Sequence, residues 1–207
     1  MSEYASEPLS REALVSDGIR AFSDWFGDAQ ARSGVSNPNA ACLSTVSPDG
    51  QPQGRIVLIK GVDERGITFH TNYDSAKGRE LAATPRAALT LYWHDLGRQL
   101  RARGAVEWLS PEESDAYFRT RSRGSQIGAW ASDQSRPVKS RQELEARAKE
   151  VTDRFRGREV PRPPHWGGLL LRPTEIELWQ EGRERLHDRI LLRRGESGLW
   201  VAERLFP

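Results

Sequence analysis

The chain has 207 residues, in which 31 lysines and arginines nearly balance 29 aspartates and glutamates, so one substantial core is expected and a broad nucleic-acid surface is disfavoured. Its single cysteine, Cys42, excludes an intramolecular disulfide framework and a cysteine-based metal site, and it favours a reducing compartment, the cytoplasm. The polar N-terminus and the lack of any run of about 20 apolar residues argue against secretion and membrane insertion.

The first part of the chain predicts an arm followed by an amphipathic helix. Residues 1–16 are mostly polar and are expected to form a flexible N-terminal arm. Apolar side chains then recur at helical spacing from Ile19, behind Asp17 as a candidate N-cap, and Gly34 is expected to end the helix. Composition does not change abruptly further on, so a single domain is expected over 17–207.

Short apolar runs follow in quick succession and predict β-strands. The predicted strands are 41–46, 55–60, 66–71, 87–93 and 99–109. The pair Asp49-Gly50 and the segment 63–66 fit hairpin connections, and 75–84 predicts one short helix between strands.

Two helix starts mark the second half of the chain. Ser110 and Glu113 form a capping-box pattern with proline in the first turn, and Ser140 opens a charged helix that is predicted to run to about Phe155. Strands return afterwards, predicted at 167–172, 175–180, 185–194 and 199–205. Closely spaced strands with a few helices favour an antiparallel barrel over repeated strand–helix–strand units.

Four groups of residues are candidates for chemistry, and the first is the strand from Arg55 to Lys60. A strand places these two cations on opposite faces, where they would meet different anions; the alternative is that both mark strand ends that reach solvent. The second group is Tyr117, Arg121 and Ser125, which one continuous helix would align on one face to hold a phosphate. A solvated basic helix face is the alternative.

The third group is Arg185, His187 and Arg189, which strand alternation places on one face. Three such groups repel one another unless an anionic or electron-rich ligand lies against them; the alternative is an edge strand with a polar outer side. The fourth group is Gln134 and Ser135 with Trp179, polar and aromatic groups that suit a flat heterocycle, although Trp179 also fits a core position.

Several common site signatures are missing from the sequence. The four histidines are scattered, and neither HExxH nor CxxC occurs, so no metal site is expected. The glycine loops of dinucleotide-binding and P-loop proteins and the GxSxG motif are also missing, which disfavours those classes.

Five longer segments of the sequence together resemble one known family, which the short motifs alone do not indicate. They are RIVLIKGVDERGITFHTNYDSAKGREL at 55–81, RGSQIGAWASDQSRPV at 123–138, PRPPHWGG at 161–168, ELWQEGRERLHDRI at 177–190 and ERLFP at 203–207. In order and spacing they resemble the pyridoxamine 5'-phosphate oxidase family, from about residue 19 onward. The stretches RLHDR and SQIGAWAS are the most specific parts of this resemblance.

The resemblance implies a mainly β, α+β fold, an antiparallel FMN-binding split β-barrel that forms a homodimer with FMN between the subunits. The implied cofactor-binding residues are Arg55, Ile56, Val57, Leu58, Ile59, Lys60, His70, Thr71, Lys77, Gln99, Gln134, Ser135, Trp179 and Arg189. The implied substrate-binding residues are Lys60, Tyr117, Arg121, Ser125, Arg185, Leu186 and His187, of which Arg185 and His187 would take the catalytic roles of orienting and polarising the substrate.

The activity implied by the resemblance is oxidation of pyridoxamine and pyridoxine 5'-phosphate to pyridoxal 5'-phosphate in vitamin B6 metabolism. A hydride would pass from C4' to the flavin, and O2 would be the final acceptor, with release of H2O2 and of ammonia from the amine. Two positions depart from the family pattern: His70 stands where an aromatic residue is frequent, and Ala76 stands where a second basic residue is frequent.

Three other functions remain open at this level. A related split-barrel flavin oxidase, such as a phenazine-pathway enzyme, shares the flavin cradle and an RLH-like strand. A non-catalytic module could carry FMN or pyridoxal phosphate without turnover. A nucleic-acid binder rests only on clustered arginines near 98–103 and 119–123.

Overall fold

The computed structural model describes Leu9 and residues 17–207. The predicted arm at 1–16 therefore lies outside the described residues, apart from Leu9. The helices are α1 Gly18–Arg32, α2 Ala76–Ala83, α3 Pro111–Thr120, α4 Arg123–Ala131 and α5 Arg141–Arg154. The strands are β1 Ala40–Val46, β2 Pro52–Leu58, β3 Gly61–Asp63, β4 Gly66–Asn72, β5 Arg86–Trp93, β6 Arg98–Trp108, β7 Trp166–Gln180, β8 Asp188–Arg194 and β9 Trp200–Arg204.

Local sequence signals set most helix starts. The Asp17 carboxylate accepts a hydrogen bond from the backbone amide of Ile19 at 2.9 Å, and Ser110 forms the full capping box with Glu113. The predicted end of α1 at Gly34 is confirmed to within two residues: the helix stops at Arg32, Ser33 is its C-cap, and Gly34 follows directly. The amide of Gly34 donates to the Asp95 carboxylate at 2.6 Å.

The sheet closes on itself. Its hydrogen-bonded order is β2-β1-β5-β6-β7-β4-β3, so β2 and β3 lie at the two ends of the path. Only Ile59 and Lys60 separate these two strands along the chain, and the Lys60 amide donates to the carbonyl of Thr68 on β4 at 2.8 Å. The strand path therefore returns to its start, which makes the predicted antiparallel barrel.

Strand β7 divides the sheet into two parts. Its first half pairs with β4 and its second half with β8, while β6 pairs along its whole length. The prediction of two separate strands at 167–172 and 175–180 is wrong, because the chain continues through Pro173 at a bulge opposite Gly104. A Cβ on Gly104 would lie 1.9 Å from the Arg172 carbonyl oxygen, so this close approach requires glycine.

The main core fills the barrel and the groove under α1. Phe22 of α1 and Phe69, Leu89 and Leu171 of the sheet are fully buried there. A second cluster joins α3, α4 and α5 around Phe118. None of the helices in the described part of the chain is long and apolar enough to cross a bilayer.

Candidate functional site

A cavity of about 510 Å³ lies where β2 and β4 meet α2, α3 and α4. Its size is within the usual range of small-molecule sites, about 300–1,000 Å³. It is lined by Ile56, Val57, Leu58, Lys60, His70, Thr71, Lys77, Tyr117, Arg121, Ser122, Ser125, Gln134 and Trp166. All but Ser122 and Trp166 belong to the predicted site, and only the neighbouring RGSQ and PHWGG motifs pointed toward those two. The cavity therefore brings together residues that are far apart in the sequence.

The residues Tyr117, Arg121 and Ser125 meet in this cavity, although they do not lie on one helix. The predicted continuous helix is wrong: α3 ends at Thr120, and Arg121 is extended, with φ −72° and ψ 147°. Ser122 then starts α4, because its hydroxyl accepts a hydrogen bond from the Ser125 amide at 3.4 Å. The break turns the chain, and all three side chains still line the same wall.

Lys77 is a buried cation on the floor of the cavity. Its ammonium donates to Gln134 Oε1 at 2.9 Å and to Thr71 Oγ1 at 3.3 Å. Burial and the nearby Arg55 lower the pKa of Lys77, whereas Glu80 opposes the shift. This part of the site joins three predicted cofactor residues in one hydrogen-bonded group.

Arg55 lies behind this group, and its side chain is 21% exposed. Its guanidinium lies 2.8 Å from the buried carboxylate of Glu80, and Thr45 donates to the same carboxylate. The predicted strand from Arg55 to Lys60 is displaced, because β2 runs from Pro52 to Leu58 and Lys60 belongs to the link that closes the barrel. Ile59 in that link is buried in the core and is not a cavity residue.

The opposite wall of the cavity is an aromatic stack. The His70 ring lies 3.8 Å from the Tyr117 ring and 5.3 Å from the Trp166 ring, measured between centroids, with nearly parallel planes. The Arg121 guanidinium lies over the Trp166 ring at 4.5 Å. Both ring nitrogens of His70 and the Nη1 atom of Arg121 are buried without a hydrogen-bond partner among the described residues.

Burial lowers the pKa of both groups, and at His70 two nearby cations add to this effect. Burial, together with Arg121 and Lys60, lowers the pKa of His70 to about 4, so its imidazole is neutral near pH 7. Burial also lowers the pKa of Arg121. Unpartnered buried donors beside excess positive charge are the arrangement that an anion would complete.

Three further predicted residues form a second group on the outer face of the sheet. Gln99 of β6 pairs with Trp179 of β7, which pairs with Arg189 of β8, so the three side chains share one row. The Arg189 guanidinium lies 2.8 Å from the buried Glu177 and donates to the Phe206 carbonyl at 3.1 Å. The closing ERLFP segment therefore supports this row.

The loop before β8 corrects the third predicted group. Arg185 ends a short 3₁₀ turn, Arg183–Arg185, and β8 begins only at Asp188, so Arg185, His187 and Arg189 do not form a strand row. The turn is tight: Glu184 and Arg185 have φ of 54° and 65°. His187 lies against Trp179, with ring centroids 4.7 Å apart, and Leu186 is exposed.

The cavity and the outer row share one face of the sheet. Ile56 and Leu58 of β2 line the cavity and are exposed on the same face as Trp179, as the register across β1, β5 and β6 requires. Within one chain the two sets are separated along β7: Gly168 pairs with the cavity residue His70, and Trp179 lies eleven residues further on, roughly 35 Å of strand at about 3.3 Å per residue. Ser135, whose φ is 70°, is exposed beside Gln134 and does not line the cavity.

The fold and the cavity define an antiparallel barrel protein with a cationic, aromatic-walled ligand site. Residues 28–155 match the family described as pyridoxamine 5'-phosphate oxidase, and residues 166–207 match the pyridoxine 5'-phosphate oxidase C-terminal dimerisation region. The chain belongs to the pyridoxamine 5'-phosphate oxidase family.

Individual proteins agree with this assignment. The chain is 53% identical over 205 residues to the pyridoxine/pyridoxamine 5'-phosphate oxidase of Rubrobacter xylanophilus, covering 99% of this chain and 94% of that protein. It is 49% identical to the protein of the same name from Azorhizobium caulinodans, with full coverage of both. Among solved structures it is similar to PhzG of Burkholderia lata in complex with tetrahydrophenazine-1-carboxylic acid, with 31% identity, full coverage of both chains and a TM-score of 0.91.

A more distant structure agrees in fold alone. It is a pyridoxamine 5'-phosphate oxidase-related, FMN-binding protein from Nostoc punctiforme, with 19% identity, a TM-score of 0.72, and coverage of 91% of this chain and 96% of that chain. The predicted split β-barrel fold is thereby confirmed.

Proposed function

We propose that this protein oxidises pyridoxamine and pyridoxine 5'-phosphate to pyridoxal 5'-phosphate, with FMN as cofactor, O2 as final acceptor and H2O2 as product. The observation that carries the proposal is one cavity with two separate cationic groups, Lys77 backed by Arg55 and Lys60 beside Arg121. A flavin mononucleotide and a vitamer phosphate each bring one phosphate group. The named relatives, about 50% identical over the full chain, support the same substrates.

The residues of the cavity fit FMN. Lys77 and Thr71 form a buried donor group suited to the cofactor phosphate, and Gln134 with the exposed apolar edge of β2 at Ile56 and Leu58 suits a flat ring. When bound, FMN supplies the two-electron acceptor that no side chain of the protein can supply. The protein itself binds, orients and excludes water.

The substrate phosphate fits the other cationic group. Arg121 offers a planar fork of donors, of which Nη1 lacks a partner among the described residues, and Lys60 adds a mobile charge. The hydroxyls of Tyr117 and Ser125 line the same wall and add donors without charge. Holding the phosphate at this wall fixes the distance of the vitamer ring from the cofactor.

The outer row completes the site from a second subunit. Trp179 lies eleven residues along β7 from Gly168, the partner of the cavity residue His70, which is too far for one small substrate to touch both sets within one chain. A two-fold axis at this face would bring the row of one protomer against the cavity of its partner. The dimerisation region at 166–207 includes the whole of that row except Gln99.

Arg185 and His187 would then reach the vitamer ring from the partner subunit. The Nδ1 atom of His187 accepts a hydrogen bond from the Gly182 amide, so the neutral ring carries its proton on Nε2. That N–H, together with the Arg185 guanidinium, is suited to orient and polarise the ring and its substituents. Neither residue acts as a nucleophile in this proposal.

The activity is tested with an anaerobic visible spectrum of the FMN-loaded protein before and after addition of pyridoxine 5'-phosphate. The flavin band is expected to bleach and to return when air is admitted, with one H2O2 per turnover. If the flavin stays oxidised, the family assignment remains intact, but pyridoxine 5'-phosphate is ruled out as the substrate.

The shared site is tested by mixing two inactive variants, Arg121→Ala and His187→Ala. Random pairing puts half of the dimers in the mixed form, and each mixed dimer regains one intact site, so about a quarter of the wild-type activity is expected. Activity that stays at the level of the separate variants would mean that both residues serve the same subunit.

A phenazine-pathway oxidation is the second candidate, because the protein in complex with tetrahydrophenazine-1-carboxylic acid has the same fold with a TM-score of 0.91. That ligand has no phosphate and would leave the Lys60 and Arg121 group without its anion. Turnover of a reduced phenazine carboxylate in preference to pyridoxine 5'-phosphate would favour this candidate.

A further inference from the structure

The two cationic groups of the cavity have different neighbours. Lys77 interacts electrostatically with Arg55 and Glu80, so an acid already balances part of that group. Lys60 and Arg121 act instead on His70, and the cavity lining contains no carboxylate among the described residues. The Lys60 side of the cavity is therefore the one whose charge is left unbalanced.

His70 is the unsatisfied polar group on this side. Its two ring nitrogens are buried, and neither has a hydrogen-bond partner among the described residues. The surrounding protein offers few partners: Tyr117 and Trp166 lie parallel to the ring, and Nε2 lies beside Gly168, whose missing side chain leaves room for it and for Leu109. Because His70 also lines the cavity, a ligand bound there can supply a partner for the imidazole.

The chemistry of that partner follows from the groups around it. Two cations face His70: Lys60, from the link between β2 and β3, and Arg121, at the C-cap of α3. The rings of Tyr117 from α3 and Trp166 from β7 also face it. A phosphate group has several oxygens, so it can bind both cations and still present an acceptor to an uncharged ring N–H. A neutral imidazole adds this hydrogen bond without adding to the repulsion between Lys60 and Arg121.

We propose that His70 is a specificity-determining residue that donates a ring N–H hydrogen bond to the phosphate monoester held by Lys60 and Arg121. The inference deepens the proposed function, because it makes this phosphate that of the vitamer and not that of the cofactor. His70 thereby separates phosphorylated from unphosphorylated vitamers. The flavin phosphate is bound by the Lys77 group and does not depend on His70.

The first test measures binding to the FMN-loaded protein by calorimetry, with pyridoxal 5'-phosphate and pyridoxal as probes. In His70→Phe the dissociation constant of pyridoxal 5'-phosphate is expected to rise roughly tenfold, while that of pyridoxal stays unchanged. His70→Gln, which keeps a donor, is expected to recover part of the loss. His165→Phe is the matched control, since that ring contacts the Ala129 carbonyl and lies outside the cavity.

The second test separates the two sources of phosphate. FMN and riboflavin are compared on the apoprotein by fluorescence quenching, and the ratio of their affinities is expected to be the same in His70→Phe as in the wild type. A ratio that falls with the variant would assign His70 to the cofactor phosphate and overturn the proposal.

The third test needs no variant. In protein labelled with ¹⁵N-histidine, the ring nitrogen signals of His70 are expected to shift when inorganic phosphate is added to the FMN-loaded protein. Unchanged signals at a phosphate concentration that occupies the site would overturn the proposal. These binding measurements stand apart from turnover: a protein that binds phosphate through His70 and fails to oxidise pyridoxine 5'-phosphate would contradict only the proposed substrate oxidation.

Discussion

The backbone amide of Gly182 donates a hydrogen bond to Nδ1 of His187, and the two nitrogens are 3.3 Å apart. This bond closes the short loop between β7 and β8 and fixes which imidazole nitrogen remains available. The same loop holds Arg185 in a left-handed conformation, with φ of 65°. Two residues of the proposed substrate site therefore depend on the geometry of one glycine.

Gly182→Ala is expected to lower kcat/KM on the order of 100-fold, because small misplacements of catalytic groups have effects of this size. A Cβ at this position would lie 1.9 Å from the Leu186 carbonyl oxygen, so the loop must move. Steady-state kinetics measures the loss, and FMN binding is expected to persist. Gly27→Ala is the matched control, since a Cβ there meets no atom within 4 Å; a similar loss in both variants would refute the local explanation.

Arg121→Lys is expected to raise KM for pyridoxine 5'-phosphate by about 10- to 100-fold with a smaller change in kcat. Lysine keeps the charge but loses both the planar fork of donors and the contact with the Trp166 ring. Initial-rate kinetics over a range of substrate concentrations measures the effect. The exposed Arg119, replaced in the same way, should leave KM unchanged. An unchanged KM in Arg121→Lys would show that the guanidinium does not bind the substrate phosphate.

Lys77→Met is expected to weaken FMN binding by about 10-fold or more and to leave riboflavin binding nearly unchanged. The ammonium is the cation that Thr71 and Gln134 surround, and methionine fills the same space without charge. Quenching of flavin fluorescence gives both dissociation constants. Lys149→Met, at an exposed pair with Asp153, provides the control. Equal weakening of FMN and riboflavin would mean that Lys77 supports the fold of the site and not the phosphate.

The stability of the ligand-free protein should depend on the protonation of His70. Its pKa is about 4 in the folded chain, below the ordinary value of 6.5, so the unfolded chain binds more protons between these values. Stability contributed by the neutral ring is present above pH 6.5 and is lost as the pH falls toward 4, by up to about 3 kcal/mol.

Urea unfolding at pH 7.5, 5.5 and 4.5 measures this loss. The wild type and His70→Phe should differ in the pH dependence of the unfolding free energy over this interval, with the variant losing less. Parallel curves for the two proteins would show that His70 titrates normally in the folded state.

The parts of the fold that local chemistry determines could be predicted from the sequence. The Ser110 capping box and the Ser140 N-cap depend on residues three positions apart, and both helices begin where that spacing predicts. Contacts between distant residues were less predictable: the amide of Gly34, just after α1, is bound by Asp95, more than 60 residues away. Closure of the barrel depends on the pairing of β3 with β4, which no single strand pattern specifies.

The candidate site could likewise be predicted only in part from the sequence. Residue types suited to phosphate were recognisable at Tyr117 and Arg121. The helix break after Thr120 was not, because it depends on the Ser122 hydroxyl, which caps the start of the next helix. The alternation expected from Arg185 to Arg189 fails because two residues before β8 adopt left-handed backbone angles. Trp166 was missed as a site residue because its role comes from contact with His70 across the sheet.

The link formed by Ile59 and Lys60, where the barrel closes, should not tolerate a change in length. One side chain of the pair is buried in the core and the other lines the cavity, while the Lys60 amide is bonded to β4. An inserted residue would exchange these two directions and move the cation away from its anion. Natural or engineered insertions should therefore be found at the exposed turn around Asp49 and Gly50, and the link should keep its length wherever the Lys60 group binds its ligand.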